Sequence, residues 1–173
     1  MGKISKNNIT PDQLNMVCRH VKEQMDNGIT ENFAIRPLIL MADIYAKLKI
    51  IGNASPDSAK QFPIWSKAAV ELWREKREEE PKRPPYGKHL RNEHGYGRTA
   101  FAKKVLDRYE ELNELDKTTI DKLVDDYWRV AVITLDEDKK LNRSNTDGLS
   151  AEKRWEKAGI EFYPGKSPYF GEK

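Results

Sequence analysis

The stretch that decides the fold is Val130–Asn142, V-A-V-I-T-L-D-E-D-K-K-L-N. Val130 to Ile133 is β-branched and apolar, too short for a helix, and reads as a buried strand. Thr134 with Glu137 three residues later is the spacing of a reciprocal cap, in which each side chain satisfies the other's backbone N–H at a helix start. Strand running straight into helix is therefore expected here, inside a chain whose other periodic segments are helical.

Upstream, Thr10-Pro11 offers a capping residue ahead of a proline suited to the first helical position, and Leu14, Val17, Cys18, Val21 and Met25 follow at helical spacing until Gly28. Arg36 precedes Pro37 and is biased away from helix, so the next helix is expected to run from Pro37, through Leu38, Met41, Ile44, Tyr45 and Leu48, to just before Gly52. A third is expected to start at Pro63 and carry Trp65, Ala68, Ala69, Leu72 and Trp73 on one stripe. Pro81, Pro84, Pro85 and Gly87 then break the pattern. Tyr86 to Gly97 reads as a loop or small irregular hairpin. Helices resume with Thr99 as a cap for Phe101, Val105, Tyr109 and Leu112, and again after Asp116 with Ile120, Leu123, Val124, Tyr127 and Trp128. A short last helix is expected from Ser150 to Ala158, stopped by Gly159. The fold class expected is mainly α, a helical bundle with a short strand or small β-hairpin element in the C-terminal half. Residues 1–80 form an N-terminal helical region and 81–173 the basic loop, later helices and strand, together one compact domain.

Composition agrees with that size. The 173 residues are 38% hydrophobic and 34% charged, with four Trp, seven Tyr and one cysteine, Cys18, and a mean hydropathy of -0.83. A chain of this length buries enough surface to dispense with disulfides. No apolar run approaches the roughly 18–20 residues of a membrane span, and the start, MGKISKNNIT, lacks the core of a signal peptide. The expectation is a cytoplasmic, soluble protein with no membrane partner. Gly-rich phosphate loops, dinucleotide fingerprints, H-E-x-x-H helices, G-x-S-x-G elbows and paired-cysteine zinc patterns are absent from the sequence.

Net charge is only +3, yet it is clustered. Lys82, Arg83, Lys88, Arg91, Arg98, Lys103 and Lys104 stand against Glu93 alone, which makes this stretch the candidate nucleic-acid contact, with Tyr86 and Tyr96 interleaved as stacking candidates. From Asp107 to Asp138 the balance reverses, with eleven acids and four bases. That acidic block, or the aromatic tail with Phe162, Tyr163, Tyr169 and Phe170, is a candidate surface for a protein partner. Both charge runs also read as ordinary solvated helix faces. The Trp residues fit core packing, Cys18 a small buried hydrophobe, His89 a solvated loop, and His20 no role.

Glu93-His94 lies in the glycine-bounded basic segment, and Asp136, Glu137, Asp138 and Asn142 lie on the helix after the strand. A histidine that deprotonates water, an adjacent carboxylate and a helix-borne ligand are the parts of a metal-dependent phosphodiesterase. The pieces R-N-E-H-G-Y-G-R and V-A-V-I-T-L-D-E-D-K-K-L-N resemble a diverged HNH (ββα-metal) nuclease over residues 86–144. The resemblance implies that His94 is the general base, that Glu93 binds the metal together with Asp138 or Asn142, that the cofactor is Mg or Mn, and that the substrate is DNA or RNA cleaved endonucleolytically. No proline follows Glu93-His94, no middle Asn has a clear equivalent, and a helical stretch separates the halves. The alternatives from the residues themselves are a non-catalytic helical nucleic-acid-binding module and a protein-interaction or inhibitor protein, with His94 completing a turn and the acids of the first turn facing the helix dipole.

Overall fold

A computed structural model describes residues 8–54, 61–79, 88–143 and 149–165, with the side chains of Asn142 and Arg143 outside the description. The element order is α1 (Pro11–Asp26), α2 (Glu31–Ala34), α3 (Arg36–Ile51), β1 (Ile64–Trp65), α4 (Lys67–Glu79), β2 (Leu90–His94), α5 (Arg98–Leu112), α6 (Lys117–Tyr127), β3 (Val130–Thr134), α7 (Leu135–Arg143) and α8 (Ala151–Lys157). The protein is mainly α with a small mixed sheet. The chain forms two compact units, both discontinuous: unit 1 is 1–55 with 96–128, and unit 2 is 56–95 with 129–173. The expected break at residues 80–87 lies outside the described residues.

Unit 1 is helical. Thr10 caps α1 by accepting from the Gln13 N–H, and the Gln13 side chain accepts from the Thr10 N–H, a closed capping box. Leu14, Cys18 and Val21 then bury one stripe of α1. Asn15, on the same helix, donates to the Leu115 carbonyl at 2.9 Å and accepts from the Leu115 N–H at 2.8 Å, fixing the turn between α5 and α6. Helix α3 begins at Arg36, one residue before its proline rather than at it, and the short α2 leads into it; Pro37 is accommodated in the first turn, where no N–H is needed. Helix α5 starts at Arg98 after Gly97 with no side-chain cap, so Thr99 lies inside the helix rather than capping it. Asp116 does cap α6, accepting from the Thr119 N–H at 2.7 Å.

Cys18 and Asp43 are both buried in this unit. Cys18 is held in the core, where burial and the nearby Glu110 push its thiol up to about 12. At pH 8 it stays a thiol, so a disulfide-exchange reagent is expected to leave it unlabelled in the native chain and to react once urea unfolds the protein. Asp43 is 2% exposed, accepts from Trp128 Nε1 at 3.2 Å, and pairs with Lys47 at 3.0 Å and Arg98 at 3.4 Å. Asp43→Ala strips the acceptor from a buried indole and strands two cations, so a loss of about 3 kcal/mol is expected in denaturant unfolding.

Unit 2 is built on a three-stranded sheet of order β1-β3-β2, with β3 in the middle. β1 is parallel to β3 (Ile64 opposite Ala131), and β2 is antiparallel to it, from Leu90 opposite Thr134 to His94 opposite Val130. Every residue of β3 is buried, which is why Val130 to Ile133 is an unbroken apolar run; the fifth residue, Thr134, is polar and is used in the cap that follows. The reciprocal cap forms: the Thr134 N–H donates to Glu137 Oε2 at 2.8 Å and the Glu137 N–H to Thr134 Oγ1 at 3.2 Å. Trp65, expected on a helical stripe, belongs to a strand instead. Ser66 follows it and caps α4, accepting from the Ala69 N–H at 3.0 Å, so the helix starts at Lys67 rather than at the expected Pro63. One face of the sheet packs Ala131 and Ile133 against Leu141 of α7 and Ala151, Trp155, Ala158 and Ile160 from α8 onward. Beyond β1 the chain returns: the Lys67 N–H donates to the Glu161 carbonyl and the Tyr163 N–H to the Trp65 carbonyl, both at 2.8 Å. Tyr169 and Phe170 lie outside the described residues.

Candidate functional site

The segment L-R-N-E-H has little strand propensity of its own; it is extended because β3 supplies its hydrogen-bonding partner. Side chains alternate along a strand, so register decides what each residue meets. Glu93 lies opposite Ala131 and shares its face, toward α8. Gly95, two residues on, faces the same way: a Cβ there would overlap that of Ala151 and come within 2.7 Å of Trp155 Cζ2. His94 lies between them, opposite Val130, and the pleat directs it to the other face.

The charged group in contact with Glu93 is Arg154. The Glu93 side chain is 15% exposed, and Arg154 Nη2 of α8 stands 3.2 Å from Oε1. The same guanidinium donates through Nη1 to the Gly95 carbonyl at 2.6 Å and to that of His94 at 3.3 Å, tying α8 to the end of β2. Asp138 lies in the first turn of α7 and is half-buried. Burial pushes the Glu93 carboxyl above the ordinary carboxylate range and the charge of Asp138 adds to this, while Arg154 and His94 pull the other way. Glu93 Oε1 is buried and accepts no hydrogen bond.

The three acids of α7 thus have separate fates. Asp136 is exposed and pairs with Lys139 at 3.0 Å, which holds its carboxyl below the usual range. Glu137 is buried and accepts from Ser66 Oγ at 2.7 Å as well as from the Thr134 N–H, so it is a structural brace. Asp138 makes its charge felt at the Glu93 carboxyl. Asn142 falls in α7, with its side chain outside the description.

Among the described residues, no group of three or more His, Cys, Asp or Glu is gathered as a metal cage. Glu93 Oε1, buried and without a hydrogen bond, has the Arg154 guanidinium as its charged neighbour.

The basic block is divided between the units. Lys82, Arg83 and Tyr86 lie outside the described residues. Lys88 and Arg91 are exposed in unit 2, Arg91 on the Glu93 face of β2. In unit 1, Arg98 pairs with Asp43, Lys103 pairs with Glu31 at 2.6 Å, and Lys104 stands over the Tyr127 ring, against which Tyr96 also packs. Much of the acidic block is matched along α6 and its neighbours: Lys117 with Asp121, Lys122 with Asp126, Lys49 with Asp125. Trp65, Trp73, Trp128 and Trp155 are all buried. Arg154, central to the site, sits in a short charged helix with no pattern to mark it, and only the fold reveals it.

No family model, curated protein or solved structure matches the chain. Among the described residues, no helix is long and apolar enough to cross a membrane.

Proposed function

We propose that this chain is an HNH-like, metal-dependent endonuclease that hydrolyses phosphodiester bonds of nucleic acid at the Glu93–Asp138 site of unit 2. The observation that supports the reading is the antiparallel pair β2 and β3, the second strand leading directly into α7, with Glu93 on the first strand and Asp138 in the first turn of the helix. That is a strand–strand–helix frame with one acid on its first strand and another at the start of its helix. Glu93 and Asp138 would hold the metal ion, and when bound it offsets charge on the scissile phosphate and the leaving oxygen. Arg91, exposed on the same face, and Lys88 at the strand start offer the backbone contacts that position a phosphate without reading sequence. Glu137 and Ser66 hold the start of α7 so that Asp138 keeps its place. His94, on the opposite face of the strand, is set apart from this pair.

The test is incubation of the full chain with single- and double-stranded DNA and RNA in Mg²⁺ or Mn²⁺. Cleavage is expected with either ion and is expected to stop on chelation; polynucleotides left intact under every condition sink the reading. His94→Ala is expected to keep activity within about tenfold, short of the roughly 10²–10⁴-fold cost of losing a general base. A larger loss in a folded variant would give the imidazole a role that the pleat does not.

A further inference from the structure

Unit 2 holds a hollow of about 560 Å³ that the proposed phosphodiesterase site does not use. Its floor is apolar, built from Ile64 of β1, Trp155 of α8, and Ile160 and Phe162 of the segment that leaves α8. Trp155 is buried and meets Phe162 edge to face, with ring centres 5.0 Å apart, while Ile64 and Phe162 are only half-buried, so the floor keeps apolar surface in water. Gly159 ends α8 at a φ of +69°, and a Cβ there would stand in open space. The rim is acidic, with Glu152, Glu156 and Glu161 against Arg129. Arg129 stands 3.6 Å from Glu152, and Lys67 pairs with Glu161 at 2.6 Å. Glu156, one turn on from Glu152, is exposed and has no cation paired with it among the described residues.

We infer that this hollow binds a small organic monocation, its aromatic body seated on the apolar floor and its ammonium group facing the carboxylates of α8. The site stands independently of the phosphodiesterase reading. Its volume and its make-up, mostly apolar lining with a few charged groups at the edge, are those of small-molecule sites. Removing the floor from water supplies the affinity, and the rim selects the sign of the ligand. An anion would meet three carboxylates, and a neutral body would leave Glu156 unanswered; an ammonium group answers it. An extended peptide fits less well, because a strand already occupies the place where it would add to β1. The Tyr163 N–H donates to the Trp65 carbonyl, the Lys67 N–H to the Glu161 carbonyl, and Ser66 bridges to Phe162.

The experiment titrates the full chain at pH 7 with 2-naphthylmethylammonium and follows the Trp155 indole N–H by NMR, a signal that reports from the floor itself. Saturable movement of that signal is expected. The neutral analogue 2-naphthylmethanol is expected to bind about threefold more weakly, and the anion 2-naphthoate more weakly still. Glu156→Gln changes an exposed side chain, so the fold is expected to stand, while cation and neutral analogue come within about 1.5-fold of each other. No movement at Trp155, equal binding of cation and neutral analogue by the parent, or tighter binding of the anion overturns the inference. So does a folded Glu156→Gln chain that keeps the parent's preference. Should that variant not fold, the three ligands on the parent decide alone. A Trp155 signal that moves on dilution of the protein without ligand gives the hollow to a second copy of the chain, and that too overturns the inference.

Discussion

Glu93→Gln and Asp138→Asn are each expected to lower metal-dependent cleavage by about 10²–10³-fold, the usual cost of removing one preorganised charged group from a reaction centre, while the protein stays folded. The two substitutions are nearly isosteric and remove charge without opening a cavity. For Glu93→Gln the effect on stability differs in sign from that on activity. Glu93 has its carboxyl raised by burial, so the folded state holds its proton more tightly than the unfolded chain does. Stability from this group is present at low pH and is lost as pH rises through the folded value. Glutamine imitates the protonated form, so without metal Glu93→Gln is expected to melt at or above the parent at pH 7, and the difference should vanish at acid pH. Parallel measurement of kcat/KM and Tm checks both halves. A folded Glu93→Gln chain with full activity would remove this carboxylate from the chemistry.

Gly95→Ala is expected to cost about 3 kcal/mol through overpacking, and to lower Tm by roughly 10 °C. The cause is space rather than backbone angle, because the added methyl would overlap Ala151 Cβ and press on Trp155, both in the packed layer of α8. Neither obstacle is the loose end of a flexible chain, so α8 must shift and take Arg154 away from Glu93. Ala151→Gly removes one of the two obstacles. In a double-mutant cycle it should recover part of the loss, with a coupling of about 1 kcal/mol between the two sites. Additive effects would show that the contact is not what excludes a side chain at Gly95.

What could be read in advance follows from the range of the interactions. Capping is local, so the Thr10 box, the Asp116 and Ser150 caps and the Thr134–Glu137 pair are all written within four residues. Strand β3 is legible because its burial on both faces calls for the apolar run Val130 to Ile133. Strands β1 and β2 are not, since Ile64–Trp65 and Leu90–His94 become extended only beside β3, far along the chain. The same distance hides the site. Glu93 and Asp138 stand out as acids flanking the right elements, but the alternation that sends His94 to the opposite face depends on register, and Arg154 is brought in by packing alone. Lys103 and Arg98 look like part of a basic patch in one dimension, and in three they are matched to Glu31 and Asp43.

The central place of β3 also sets a timetable for synthesis. Ile64 and Trp65 leave the ribosome long before Ala131 and Val132 exist to receive them, and Leu90 to His94 emerge in the same unpartnered condition. Translation must pass the whole of α5 and α6 before the middle strand is made, and must reach Tyr163 before β1 gains its outer neighbour. A nascent chain stalled before Val130 therefore exposes two strand segments with unmet backbone groups, the kind of edge that recruits chaperones or a neighbouring chain.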